Sequence, residues 1–345
     1  MSCPFPMMCA AMLVPFLPLR QLLNIARALL GRVSLLFLSP LPSQAAGQAA
    51  PKLGSIVTYP LKSCRALRHA SIQLTSTGLR NDRVMMIVRG GSKGEPRFFS
   101  QRQSGALATV SCTPLPPHEQ TKEGQTTYEL SCPALPGRTL KVRYPPDKHR
   151  ELPRSLCVLW DDELPLSDLG DAAAGFVTDA VAAWEPPSGS ADGPAAWGDL
   201  RVVCMPPAGA GYDRAPNPVY FPGSGLLLSG APPQAALSDG FPILIAGTAS
   251  LADLNIGDTI FHVLKGCPRC KQSCTDQETG RVGKEPMETL RTFRAMSKRH
   301  PEDVFFGQNV AATRGSGVLR VGDVVEVLKR EDGFIADKGS IDPGT

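Results

Sequence analysis

The stretch GSIVTYPLKSCRALRHASIQLTSTGLRNDRVMMIVRG, residues 54–90, decides the fold class of the chain. It holds three β-rich runs, at 54–61, 70–79 and 83–90, which are separated by glycine and other turn-forming residues. This pattern predicts short strands joined by turns. The series continues with TYELSCPAL and TLKVRYPP up to residue 146. We therefore expect a mainly β protein with short helices, of the α+β class.

The composition agrees with a folded β protein. Of the 345 residues, 42% are hydrophobic and 20% are charged, which is typical of globular proteins and not of disordered ones. The 33 glycines and 33 prolines favour many turns. A net charge of +4, spread along the chain, gives little support to nucleic-acid binding. Ten cysteines are too few for a disulfide scaffold in a chain of this length.

The first fifty residues differ from the rest of the chain. They contain no Asp, Glu or Lys, and Asp82 is the first acidic residue. Residues 5–19 are apolar, and residues 20–38 carry three arginines among leucines. This composition indicates an organelle-targeting or anchoring segment, with residues 5–38 as the candidate membrane anchor. Its apolar runs are shorter than the ~20 residues of a spanning helix, and the small residues at 43–50 also allow a secretory signal.

The rest of the chain divides into two blocks. The apolar stripe of residues 170–184 predicts a helix, and the Pro-, Gly- and Ser-rich residues 185–199 predict a linker. In the second block we expect a strand and then a helix start within 241–255, and a strand over 258–266. The expected divisions are a leader at 1–50, domains at 53–184 and 200–331, and a disordered tail at 332–345.

Three cysteines, Cys267, Cys270 and Cys274, follow the 258–266 strand with the spacing C-x2-C-x3-C. A structural zinc site needs four ligands, usually in two pairs. The chain has one such pair, Cys274 as a third ligand and His262 as a strained fourth. An iron–sulfur cluster meets the same objection, since a fourth thiolate is missing.

Two other arrangements use fewer thiols. A Cys267–Cys270 disulfide is conceivable, but a redox-active C-x-x-C opens a helix, whereas residues 276–280 indicate a turn. Alternatively one thiolate, next to the positive charges of Arg269 and Lys271, ligates a soft metal that brings most of its own ligands.

Seven motifs occur in an order that resembles one family: YPLKSC, GLRNDRVMMIV, SQRQ, SLADLN, PRCKQSCTDQETG, KEPMETLRTFR and FFGQNV. They resemble MOSC-domain proteins, and most of all the mitochondrial amidoxime-reducing component branch. The similarity covers residues 54–330. It implies a MOSC N-terminal β-barrel domain at 53–184 and a MOSC β-barrel domain at 200–331.

The resemblance implies a molybdenum cofactor, a pterin dithiolene with a phosphate group. The family pattern R-C-x4-V/T-D-x-x-T-G falls on Arg269, Cys270, Asp276, Thr279 and Gly280. Cys270 is then the molybdenum ligand and the catalytic residue, and the neighbouring cysteines are bystanders. The remaining cofactor-binding residues that the resemblance implies are Lys62, Ser63, Arg83, Arg102 and Ser238, besides Arg269 and Asp276.

The resemblance also implies an activity. The expected substrates are amidoximes and hydroxylamines, with nitrite as a further candidate, and the expected electron donors are a small b-type cytochrome and an NADH-dependent flavin reductase on separate chains. The expected location is the mitochondrial outer membrane, with a plastid or a secretory membrane as alternatives. Pyridoxal phosphate binding is expected of the family as a whole. This chain has no pyridoxal-phosphate domain, however, which excludes a complete molybdenum cofactor sulfurase. The alternative functions are a non-catalytic carrier of molybdenum cofactor or sulfur and a zinc-stapled β protein.

One departure from the family pattern follows SLADLN. Family members carry a substantial stretch between this motif and the cysteine strand, whereas here Asn255 runs directly into IGDTIFHVLKG. A lost exon in the gene prediction or a natural deletion would explain the difference. We expect the loss of cofactor contacts and of one strand to weaken the chain as written.

Overall fold

A computed structural model describes residues 11–13, 51–75, 78–91, 94–120, 122–159, 162–184, 199–206, 243–245, 251–295, 297–298, 300–313 and 316–330. Four predicted features lie outside these residues: most of the leader, nearly all of the linker at 185–199, Ser238 and the tail at 332–345. Among the described helices, none has the length and apolar character required to span a membrane.

The predicted mainly β class with short helices is confirmed. The helices are α1 (Asp171–Ala182) and α2 (Met287–Arg294), with 3-10 turns η1 (Gly105–Thr109), η2 (Pro117–Glu119) and η3 (Lys271–Cys274). The strands are β1 (Ala11–Leu13), β2 (Ile56–Thr58), β3 (Leu67–His69), β4 (Ser71–Thr75), β5 (Gly78–Leu79), β6 (Met85–Gly91), β7 (Gly94–Phe99), β8 (Ser111–Pro114), β9 (Thr126–Ser131), β10 (Thr139–Tyr144), β11 (Arg154–Leu159), β12 (Asp162–Asp168), β13 (Leu200–Cys204), β14 (Ile243–Ile245), β15 (Leu251–Ile256), β16 (Thr259–Arg269), β17 (Val304–Ala312), β18 (Ser316–Arg320) and β19 (Val325–Arg330).

A closed barrel in the order β11-β12-β13-β6-β7 forms the centre of the first half. Strand β6 is buried on both faces, with Met85 and Ile87 in one core and Met86 and Val88 in another. Strand β13 pairs with β6 over its full length and with the end of β12. The sequence pattern places residues 200–204 at the start of the second domain, but barrel closure requires this strand between β12 and β6.

Helix α1 lies where the apolar stripe predicts it. Phe176, Val177 and Val181 are buried, and they belong to the same core as β6 and β13. The three-stranded sheet β10-β9-β8 contributes to this core as well. The helix therefore stabilises the first half by covering one side of its core.

The second half contains a six-stranded sheet in the order β1-β14-β17-β16-β15-β19. The helix start expected within 241–255 is wrong, because Leu251–Ile256 forms β15. Only a short segment precedes the turn at Gly257 and Asp258, and the buried Leu254 and Ile256 alternate with half-buried residues, as in a strand. Strands β15 and β16 thus form a hairpin with Ile256 opposite Thr259.

The two halves share a core and a sheet. Strand β18, near the end of the chain, pairs with β4 along its whole length. Side chains of β2, β4 and β5 pack with Leu254, Ile256, Phe261 and Val310 of the six-stranded sheet. This arrangement brings the end of β16, where the cysteines begin, against the turn that follows β2.

Candidate functional site

Cys270 lies at the point where β16 ends and the 3-10 turn η3 begins. Its side chain is half-buried and is a free thiol, and its Sγ lies 3.8 Å from the Gln272 side-chain oxygen Oε1. The Ser273 hydroxyl donates a hydrogen bond of 2.6 Å to the Cys270 carbonyl, and the Ser273 N–H donates one of 2.9 Å. These bonds hold the main chain of Cys270 while leaving its sulfur partly accessible.

The neighbouring cysteines have different environments. Cys274 is buried, its thiol donates to the Lys284 carbonyl at 3.2 Å, and burial raises its pKa. Cys267 is buried, and Cys270 is a free thiol, so these two residues are not bonded to each other. His262 pairs with Asp253 across β15 and β16 at 2.5 Å. Within the described ranges, no three His, Cys, Asp or Glu side chains gather as a metal-binding group.

The loop after η3 is a compact turn built around Asp276. Its carboxylate oxygen Oδ1 accepts hydrogen bonds from the N–H groups of Glu278 and Thr279, at 2.8 and 2.9 Å. Burial raises the pKa of Asp276, but these hydrogen bonds outweigh it and the net pKa is lowered. The side chain is exposed, so its role in this structure is to shape the turn.

This turn docks against the first half through two glycines. A Cβ placed on Gly105 would lie 2.0 Å from the Gly280 carbonyl oxygen, and one on Gly280 would lie 2.5 Å from the Gly105 oxygen. The indole N–H of Trp184 donates to the Thr279 carbonyl at 3.1 Å. Only glycine permits this backbone approach, and Gly280 also has a φ of +75°.

Lys62 and Arg83 come together because the turn after β2 runs alongside the start of β6. The Lys62 N–H donates to the Met85 carbonyl at 2.8 Å, and the Arg83 N–H donates to the Tyr59 carbonyl at 2.9 Å. Both cationic side chains are almost completely inaccessible, with 0% and 1% of their surface exposed. Arg83 forms an ion pair of 2.9 Å with the buried Asp82.

Arg269 joins this group from the other half of the chain. Desolvation lowers the pKa of its guanidinium, and the neighbouring Cys270 and Tyr59 oppose that shift. Burial also raises the pKa of Tyr59, while Arg269 and Arg83 lower it and Asp82 raises it. Tyr59 therefore lies within electrostatic range of the cations from both halves. We call Lys62, Arg83 and Arg269, with Asp82, the cationic cluster.

The cationic cluster carries three positive side chains and one carboxylate. Burial raises the pKa of Asp82 to about 6, although Arg83, a hydrogen bond from Tyr59 and Lys62 all lower it. Buried charges are costly unless they meet opposite charges. The donor set thus suits an anion, and the guanidinium and ammonium groups are those that bind phosphate.

Ser63 lies between the cationic cluster and the cysteine loop. It has a φ of +65° and is buried. Its carbonyl accepts a hydrogen bond from Gln101 at 2.9 Å, and its hydroxyl accepts one from Gln272 at 3.2 Å. Arg102 is half-buried on the loop after β7, where its N–H donates to the Ser100 hydroxyl at 3.3 Å.

The structure therefore brings Lys62, Ser63, Arg83 and Arg269 into one region beside Cys270. It places Arg102 on the adjoining loop and Asp276 in the turn that follows, and Ser238 lies outside the described residues. Sequence reasoning missed Tyr59, Asp82 and Gln101 as members of the site. The motifs YPLKSC, NDR and SQRQ contain all three, but no spacing rule connects a motif of the first half with the cysteine loop.

Comparison with known families matches both halves of the chain. Residues 50–183 match the model of the MOSC N-terminal β-barrel domain, and residues 234–326 match the model of the MOSC domain. The chain belongs to the MOSC-domain proteins.

Relatives of this MOSC protein have related names. It is 25% identical to the mitochondrial amidoxime-reducing component 1 of Homo sapiens, over 78% of this chain and 81% of the relative. It is 25% identical to the mitochondrial amidoxime reducing component 2 of Bos taurus, over 77% of this chain and 80% of the relative. It is 38% identical to the molybdenum cofactor sulfurase of Aspergillus niger over 72 residues, which are 19% of this chain and 8% of the sulfurase.

Proposed function

We propose that this MOSC protein binds the molybdenum cofactor and reduces N-hydroxylated compounds with it. The observation that carries the proposal is the juxtaposition of a half-buried free thiol, Cys270, with the buried side chains of Lys62 and Arg83 and the half-buried Arg269. A soft metal prefers a thiolate, and a pterin phosphate requires cationic donors. Relatives named amidoxime-reducing components support the choice of substrate class.

The residues present fit this cofactor. Cys270 would be the single protein ligand of molybdenum, which when bound supplies the two-electron reduction of the N–O bond. Lys62, Arg83 and Arg269 would hold the phosphate, and Ser63 would donate a hydrogen bond to it or to the pterin. Arg102 and Ser238 are proposed as further contacts, and Asp276 as the residue that keeps the turn beside Cys270 in shape.

The protein's own contribution is to bind, orient and exclude water. Lys62 and Arg83 are already desolvated, so their attraction to an anion is stronger than it would be at the surface. A charge-assisted hydrogen bond from either side chain contributes roughly 1.5–3 kcal/mol. Because Arg83 also pairs with Asp82, its guanidinium is held in place before the anion arrives.

The reaction needs an electron source. An amidoxime takes up two electrons and two protons and gives an amidine and water. We propose a small b-type cytochrome and an NADH-dependent flavin reductase as donors on separate chains. Since the relatives are named mitochondrial components, we propose a mitochondrial location, with the outer membrane as its site.

The test combines metal analysis with turnover. Wild-type protein should contain molybdenum at about one atom per chain and should convert benzamidoxime to benzamidine with a reduced viologen as donor. Cys270→Ala should lose both properties, whereas Cys274→Ala, at a neighbouring buried free thiol that donates to the Lys284 carbonyl, should keep molybdenum. Equal loss in both variants, with both folded, would contradict the assignment of a single ligand.

The second candidate is a non-catalytic carrier of molybdenum cofactor or sulfur. The short match to a molybdenum cofactor sulfurase favours it. Bound molybdenum without benzamidoxime reduction would support the carrier. Zinc at one atom per chain without molybdenum would instead support a zinc-stapled β protein.

We also propose that the stretch which family members carry after SLADLN is missing here through either a lost exon in the gene prediction or a natural deletion. In the chain as written, β15 and β16 are joined by the two residues Gly257 and Asp258, and Gly257 has a φ of +56°. A segment inserted after Asn255 would interrupt β15 one residue before its end. A transcript in which codons 255 and 256 are adjacent would rule out the gene-prediction explanation.

A further inference from the structure

A pair of glutamine side chains connects the two halves of the chain at the site. The Gln101 side-chain nitrogen Nε2 donates to the Gln277 oxygen Oε1 at 3.1 Å, and the Gln277 nitrogen donates back to the Gln101 oxygen at 3.2 Å. Gln101 lies on the loop after β7 and is 6% exposed. Gln277 lies in the turn seven residues after Cys270. Neither residue belongs to the cofactor-binding set proposed for the site.

Each amide of this pair uses its full set of donors. Besides Gln277, the Gln101 nitrogen donates to the Ser63 carbonyl at 2.9 Å. Besides Gln101, the Gln277 nitrogen donates to the Thr275 carbonyl at 2.9 Å. An NH2 group has two donors, so reversing either amide would direct an oxygen at a carbonyl oxygen. The pair therefore has one favourable orientation.

The pair completes a set of contacts around the cysteine loop. Gln272, two residues after Cys270, donates to the Ser63 hydroxyl at 3.2 Å. Gly280, at the far end of the loop, packs against Gly105. A single contact at one end would let the loop pivot, whereas contacts at 272, 277 and 280 fix its orientation.

We propose that the Gln101–Gln277 pair is a positioning device that sets the Cys270 loop against the Ser63 turn. Both glutamines are positioning residues, since they act through Ser63 and Cys270. The inference deepens the proposed function and rests on it for its relevance to the cofactor. The placement of the Cys270 thiol, on which the proposal depends, can be tested without any cofactor.

The experiment measures the alkylation of Cys270 by iodoacetamide in the cofactor-free full-length chain, followed by peptide mass spectrometry. Gln277→Met keeps the shape of the side chain but removes its hydrogen bonds, so the loop should open more often. We expect Cys270 to be alkylated roughly tenfold faster than in the wild type, as the loss of three hydrogen bonds would allow. Gln277→Glu keeps the bond donated by Gln101 but directs a carboxylate oxygen at the Thr275 carbonyl, so its rate should be at least that of Gln277→Met.

Gln120→Met is the matched control. The Gln120 amide also bridges main-chain groups of the first half, donating to the Leu115 carbonyl at 2.7 Å and accepting from the Thr127 N–H at 2.7 Å, but none of its described side-chain hydrogen bonds reaches the cysteine loop. This variant should lower the melting temperature as Gln277→Met does and leave Cys270 alkylation at the wild-type rate. In loaded protein, only Gln277→Met should release molybdenum faster on dialysis.

A wild-type alkylation rate in folded Gln277→Met would overturn the proposal, and so would an equal increase in Gln120→Met. The variants are made at Gln277 and not at Gln101, because Gln277 is half-buried and its replacement disturbs the fold less. If wild-type protein retains no molybdenum at all, the proposed function fails, while the alkylation rates still decide whether the pair positions Cys270.

Discussion

Replacing Gly280 by alanine tests whether the cysteine loop must lie directly on the backbone of Gly105. Two costs are expected. Gly280 has a φ of +75°, and an L-residue in this region costs roughly 1–2 kcal/mol. The new Cβ would also lie 2.5 Å from the Gly105 oxygen and 2.8 Å from its carbonyl carbon, and overpacking against atoms that cannot rotate away costs about 1–3 kcal/mol. The free energy of unfolding should therefore fall by about 2–5 kcal/mol.

Two further variants separate these costs. Gly137 has a φ of +76°, and a Cβ added to it would meet no heavy atom within 4 Å, so Gly137→Ala should show the conformational cost alone. Gly105 is not in the left-handed region, and its Cβ would meet the Gly280 oxygen at 2.0 Å, so Gly105→Ala should show the collision alone.

Guanidinium denaturation followed by tryptophan fluorescence measures these differences. The Trp184 ring lies beside both glycines, so its emission should also shift in the native state of Gly280→Ala and not of Gly137→Ala. The reasoning is refuted if Gly280→Ala and Gly137→Ala lose the same free energy of unfolding and Gly105→Ala loses none.

Three further predictions concern the charged groups. Burial raises the pKa of Asp82 from 3.8 to about 6. The free energy of unfolding of the cofactor-free protein should therefore fall by up to about 3 kcal/mol as pH rises from about 4 to about 6. Urea titrations of Asp82→Asn should not show this decline. Hydrogen bonds from Lys122 and two neighbours lower the pKa of Asp147 to about 2, so the stability that its carboxylate contributes is present above about pH 4 and is lost as pH falls towards about 2. Asp147→Asn should reduce the loss of unfolding free energy between about pH 4 and about pH 2. An unchanged loss in this variant would contradict the assignment. Lys62→Ala and Arg83→Ala should each weaken cofactor retention by roughly 1.5–3 kcal/mol, and full molybdenum occupancy after dialysis of both variants would refute the phosphate assignment.

The sequence predicts the local elements of this fold well where periodicity is strong. Helix α1 and the strand around residues 258–266 lie where the pattern indicates. The segment LADLN is wrongly predicted as a helix start because a Ser or Thr cap before leucine favours a helix. Its length and its pairing with β16 and β19 override that local preference.

The division of strands between the two halves is harder to predict. Strand β13 follows a long linker in sequence but closes the first barrel, and β18 pairs with β4 from the other end of the chain. Such pairings depend on which edges remain open after the barrel forms. The local sequence does not indicate which strand edges remain unpaired.

The candidate site shows the same limit. Cys270, Lys62 and Arg83 can be proposed from motifs because each has a residue type suited to its chemistry. The Gln101–Gln277 pair cannot, because two amides 176 residues apart have no spacing signal and a glutamine in a turn is ordinarily solvated. Their relation appears only once both loops are in place.

The central claim is that one sulfur, that of Cys270, ligates a metal whose anionic carrier is held by buried cations. Elemental analysis of molybdenum in purified, folded wild type, Cys270→Ser and Cys274→Ser tests it most directly. We predict about one molybdenum per chain in the wild type and in Cys274→Ser, and none in Cys270→Ser after dialysis. Molybdenum that stays bound to Cys270→Ser at the wild-type level would contradict the claim.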